Sequence, residues 1–121
     1  MPFTCGNAYL IKFMFTKPAP KEKFVVCVCD IKPLFLFISS NPRTRFDINS
    51  QLKVFPVDLP FLKRASFINL AECITCVVPH NCTIVKDFGV INEVIRSQIK
   101  SRVLNSETLP QRFIDKIINN L

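Results

Sequence analysis

A chain of 121 residues holds one domain, long enough to bury a core and too short for two. Nearly half of it is apolar (49%), with 12 Phe and only 2 Gly, which excludes a disordered or low-complexity protein. Its 16 Lys+Arg against 9 Asp+Glu give a net charge of +7, a field that favours a polyanion or an acidic protein as partner.

In chain order, residues 8–15 read as a first strand. Lys17-Pro18-Ala19-Pro20-Lys21 then turns the chain, because two prolines forbid a continuing ladder. Residues 23–29 return as a second strand, with Cys27 and Cys29 expected on one face. The strongly apolar residues 34–40 form a third, with Phe35 and Phe37 on one face and Leu34, Leu36 and Ile38 on the other. A strand buried on both faces is a central one.

This third strand ends in the paired hydroxyls Ser39 and Ser40, followed by the cationic Asn41-Pro42-Arg43-Thr44-Arg45. Small donors beside positive charge at a sheet edge are a layout that a phosphate can approach. Residues 51–57 have β character, with Pro56 confining the end to an edge or bulge. Residues 66–72 and a segment within 76–88 are weaker strand candidates.

After Gly89 the apolar period becomes helical. Ile91, Val94, Ile95, Ile99 and Val103 line one face, with Arg96 and Lys100 on the wet side. Phe113, Ile114, Ile117, Ile118 and Leu121 repeat the pattern after Ser106 and Pro110, which suit a helix start. The expected architecture is one β-rich α+β domain over residues 1–121 with a helical tail from about residue 91.

No run is long enough to cross a bilayer, and the N-terminus lacks the pattern of a signal peptide, so a cytoplasmic protein is expected. Six Cys in that setting are expected to be reduced. Phosphate-binding Gly loops, Gly-x-Ser-x-Gly elbows and His-Glu-x-x-His are absent from the sequence, which sets aside the enzyme classes that need them.

Cys73, Cys76, His80 and Cys82 offer as many soft ligands as a tetrahedral zinc needs. Their spacing is poor for that purpose, and Pro79 stiffens the turn that would wrap the ion. They are read as core cysteines beside a surface turn, with no metal and no cofactor expected. His80 titrates near neutrality and is chemically able to act as an acid or base, but no feature of the sequence orients it. Lys17, Lys21, Lys23, Arg43, Arg45, Lys63 and Arg64 all fall in or beside inter-strand loops. Converged on one rim they would hold a phosphodiester backbone; scattered, they are a solvated surface. Phe46, Phe61 and Phe67 are interleaved with them and are read as core before they are read as base-stacking rings.

The order of these features resembles the MazF/PemK (Kid-type) toxins of bacterial toxin-antitoxin systems. Gly6-Asn7-Ala8-Tyr9 is similar to the Gly-Asp-Ile/Val start of that family's first strand, and Lys23-Phe24-Val25-Val26-Cys27-Val28 to its Arg-Pro-Ala/Val-Val run. Phe37-Ile38-Ser39-Ser40 resembles the strand ending in Thr-Ser, and Ser66-Phe67-Ile68-Asn69-Leu70 the Ser-x-Val/Ile-x segment.

The resemblance implies a small, strongly bent SH3-like β-barrel with C-terminal helices, usually a homodimer, that cuts single-stranded RNA without a metal. The RNA's own 2′-hydroxyl would attack the phosphate. By the same resemblance Lys23 takes the place of the catalytic Arg, and Ser39 or Ser40 that of the Thr. Lys21, Arg43, Arg45, Lys63 and Arg64 would hold the RNA, and an acidic, partly disordered antitoxin would cover them. This chain has Lys-Phe where the family has Arg-Pro, which keeps the charge but loses the bidentate fork. Asn7 stands where the family has Asp. The alternative is the same barrel as a non-catalytic binding module for an acidic protein or nucleic acid.

Overall fold

The structure, a computed structural model, describes residues 3–14, 19–31, 33–41, 50–75 and 81–121. Six strands and two helices follow in order: β1 (Asn7–Phe13), β2 (Lys21–Cys29), β3 (Leu34–Ser39), β4 (Gln51–Val54), β5 (Ser66–Asn69), β6 (Cys82–Val90), α1 (Glu93–Val103) and α2 (Gln111–Asn120). The strands form one sheet in the order β4-β5-β3-β2-β1-β6, antiparallel throughout. Among the described residues β4 and β6 are its two edges, so the sheet is not closed.

Side chains alternate across a strand, and the apolar runs are dense enough that both faces bury. On one face Val26, Leu36, Ile38 and Ile68 pack with Ile99 and Ile117 of the two helices. On the other face Tyr9, Ile11, Phe13, Val25, Cys27 and Phe35 form a second cluster. Phe3 caps this cluster, with its ring edge-on to Tyr9 at 5.3 Å and to Phe35 at 4.7 Å. The third strand therefore lies inside the sheet with its phenylalanines and its aliphatic residues on opposite sides.

Three local departures have identifiable causes. A bulge shifts the β2–β3 register between Cys27↔Phe35 and Cys29↔Leu34. It sends Val28 and Cys29 both to the helix-covered face, so Cys27 and Cys29 do not share a side as simple alternation requires. Strand β4 stops at Val54 rather than 57 because Phe55 opens a turn, its N–H donating to Asp58 Oδ2 at 3.1 Å while its carbonyl accepts from Asp58 and Leu59. Strand β5 stops at Asn69 because that side chain accepts the Ala71 N–H at 2.9 Å, a local bond that competes with the ladder.

Helix α1 begins where Asn92 Oδ1 accepts the Ile95 N–H at 2.9 Å. Its buried stripe is Ile95, Ile99 and Val103, at strict i, i+4 spacing. Val94, expected on that stripe, is 66% exposed, since one residue is a rotation of about 100° away from the centre of the face. Helix α2 starts at Gln111, directly after Pro110, and buries Ile114 and Ile117. The preceding turn is held by Ser106 Oγ, which accepts from the N–H groups of Thr108 and Leu109. Among the described residues no helix is long and apolar enough to cross a membrane.

Candidate functional site

A pocket of about 440 Å³ opens where the start of β2, the end of β3 and the segment leading into β5 meet. The register explains the meeting. Phe24 pairs with Ile38, so one step further along the ladder Lys23 comes beside Ser39, and Ser39 in turn pairs with Phe67 of β5. Phe24, Ile38 and Leu62 give the pocket apolar walls, while Lys23, Lys63 and Arg64 supply positive charge. Ser39, Ser40 and Ser66 add hydroxyls, and Glu22 is the carboxylate among the described lining residues.

The segment that delivers Lys63 and Arg64 is built tightly. Leu59 and Leu62 anchor it in the core, and the Leu62 N–H donates to the Leu59 carbonyl at 3.0 Å. Asn92 Nδ2 donates to the Asp58 carbonyl at 3.2 Å, tying the same segment to the helix layer. With two leucines buried, the following Lys63 and Arg64 are left exposed at the pocket. Ser66 Oγ then donates to the Arg64 carbonyl at 3.1 Å, fixing the entry into β5. Ser39 Oγ accepts the Asn41 N–H at 3.2 Å, a bond that does not use the serine's own proton. The pocket can therefore offer three cations and hydroxyl donors to a phosphate, over apolar walls that suit a sugar or base.

Of the residues singled out from sequence, Lys23, Ser39, Ser40, Lys63 and Arg64 line this one pocket. Lys21 is exposed on β2, opposite Phe13, and is not among its lining residues. Arg43, Arg45 and Phe46 lie outside the described residues, as do Cys76 and His80. Sequence reasoning did not assign Glu22, Phe24, Ile38, Asn41, Leu62 or Ser66 to the site. The adjacency of Glu22 to Lys23 and of Asn41 to Ser40 is the signal that could have found two of them.

The cysteines belong elsewhere. Burial pushes the Cys27 and Cys73 thiols up to about 12 and that of Cys5 to about 11, so at neutral pH all three are protonated and poor nucleophiles. Cys73 packs against the helix-covered cluster and Cys82 sits in the other, so these two candidate zinc ligands attach to opposite faces. Among the described residues no group of three or more His, Cys, Asp or Glu is arranged to hold a metal.

Fold and pocket together define a β-rich α+β domain with a cationic, hydroxyl-lined cavity at strand ends. No protein-family model matches the chain, and no curated protein matches it.

Proposed function

We propose that the chain is a toxin-like, metal-independent endoribonuclease of MazF/PemK type, and that its sheet belongs to a divergent, strongly bent SH3-like barrel. One observation carries the reading: Lys23, Ser39, Lys63 and Arg64, brought from three separate stretches of chain, line the same pocket. A phosphodiester seated there has its non-bridging oxygens facing the Lys23 ammonium and the Ser39 and Ser40 hydroxyls. Lys63 and Arg64 engage neighbouring phosphates.

In the proposed reaction the ribose 2′-oxygen attacks phosphorus, the bond from phosphorus to the 5′-oxygen breaks, and a 2′,3′-cyclic phosphate and a 5′-hydroxyl result. Glu22 takes the proton of the attacking hydroxyl, and water returns one to the leaving oxygen. Charge accumulates on the phosphoryl oxygens in the transition state, which is where a fixed ammonium contributes most. The same groove, in this reading, is what an acidic, flexible antitoxin segment covers in a cytoplasmic toxin-antitoxin pair, with the toxin a homodimer.

A second reading has one specific support. Lys23 presents a point charge where the family's arginine grips a phosphate through two N–H groups, so the pocket suits binding at least as well as cleavage. The chain is then a non-catalytic module for nucleic acid or an acidic protein. The deciding experiment incubates purified protein with single-stranded RNA in the presence of EDTA and maps the product ends. Fragments with cyclic phosphate ends that vanish for Lys23→Ala support the nuclease; intact RNA with retained binding supports the module.

A further inference from the structure

The pocket accounts for Lys23 and Ser39 but not for what stands beside them across the sheet. Ser39 pairs with Phe67, and Phe67 pairs with Lys53. Directly opposed residues in an antiparallel ladder project to the same side, so Lys23, Ser39, Phe67 and Lys53 form one row over β2, β3, β5 and β4. From Lys23 to Lys53 the row spans roughly 14 Å, three inter-strand spacings.

Its far end is unlike ordinary surface. Ile68 is buried in the helix-covered cluster and Ser66 is buried on the same side of the strand, whereas Phe67 faces the other way and is half-buried. Lys53 holds its ammonium 5.4 Å from the centre of the Phe55 ring and 5.9 Å from that of Phe67. Phe55 is 45% exposed. Two aromatic rings with a cation held near both, on the strands next to Ser39 of the phosphate-suited pocket, provide a π-face and a positive charge at one place. That combination is what single-stranded nucleic acid recognition uses, because every base has a face to stack and a phosphate beside it.

We infer that Phe67, Phe55 and Lys53 form a nucleobase-stacking shelf, a second subsite that holds the unpaired base adjoining the phosphate in the pocket. This rests on the RNA reading above and assigns the residues that reading leaves unused. Phe67 carries the base, and Lys53 neutralises the next phosphate. The contact is tolerant of base identity, since a ring face offers no hydrogen-bond pattern to read.

The test uses the full chain and short single-stranded oligoribonucleotides labelled for fluorescence anisotropy, intact or with one abasic position moved along the strand. Phe67→Ala is expected to weaken binding of the intact strand by about 5- to 150-fold, the range for losing one stacked base. An abasic site at the register of the shelf is expected to weaken wild-type binding similarly and to add nothing to Phe67→Ala. Phe67→Leu keeps an apolar side chain without a π-face and is expected to bind like Phe67→Ala while melting like wild type. Wild-type protein that binds RNA while Phe67→Leu binds it equally well overturns the shelf and leaves the pocket reading standing. Wild-type protein that binds none of the strands overturns both.

Discussion

Lys23 and Arg64 line the same pocket, yet they are expected to answer differently to mutation. If Lys23 acts on charge that develops only during reaction, Lys23→Ala lowers kcat by about 100- to 1000-fold while RNA affinity changes little. Single-turnover cleavage measured beside equilibrium binding checks this. Arg64, a phosphate contact in the same proposal, is expected to show the reverse. Arg64→Ala weakens binding of all sequences and lowers the slope of log affinity against log salt by about 0.7, the increment for one phosphate on a single strand. Glu22→Gln separates chemistry from binding in a third way, since removing the only carboxylate of the described lining is expected to cost about 100- to 10,000-fold in cleavage with binding retained or tightened. An unchanged cleavage rate in Glu22→Gln removes it as the proton acceptor. At this scale the sequence was most readable where residues were close along the chain: Ser39 and Ser40 at a strand end, Lys63 beside Arg64. The row through Phe67 to Lys53 was not, because it requires β5 to insert between β3 and β4, and no local pattern carries that order.

Elements were legible by their period and illegible at their ends. The apolar runs of β1 to β3 and the Ile95, Ile99 and Val103 stripe of α1 are legible in the spacing, although the same spacing also picks out the exposed Val94. Ends depend on single hydrogen bonds, such as Asn69 to Ala71, that compete locally with the ladder. The β2 bulge is a case of both, a run that reads as regular and departs by one residue where Cys29 meets Leu34. Helix α1 offers a direct check on which face packs. Ile99→Ala is expected to cost about 2–5 kcal/mol in denaturant unfolding, and Val94→Ala within about 0.5 kcal/mol of zero. Asn92→Ala removes both the helix cap and the bond to the Asp58 carbonyl, so about 1 kcal/mol of stability is lost. Because that bond steadies the segment carrying Lys63 and Arg64, the variant should also bind RNA more weakly than its loss of stability explains. Equal RNA affinity in Asn92→Ala and wild type, with the stability loss present, refutes that link.

For the whole molecule, the raised thiols give stability a dependence on alkaline pH with a definite sign. Cys5, Cys27 and Cys73 ionise at about 11 to 12 in the fold, against an ordinary value of 9.0. Between those values the folded chain keeps protons that the unfolded chain has released, so their contribution is complete below pH 9 and is lost as pH rises toward 12. Each thiol that ionises only on unfolding steepens the fall by about 1.4 kcal/mol per pH unit. Thermal melts under reducing conditions from pH 7 to 10.5 are expected to stay flat to about 9 and then decline, with a shallower decline in Cys27→Ala. The order of synthesis adds a kinetic dimension. Asn7 of β1 bonds to Asp87 of β6 across a separation of 80 residues, while β2 and β3 follow β1 almost at once. At roughly 5–20 residues per second, a nascent β1 waits about 4 to 16 seconds for its outer neighbour. The pocket, drawn from residues 22–66, is complete 16 residues before β6 begins, about 1 to 3 seconds ahead of that neighbour. For those seconds the half-built sheet exposes an unpaired β1 edge, and a growing chain of this kind invites a chaperone or another strand to occupy the position that β6 later takes.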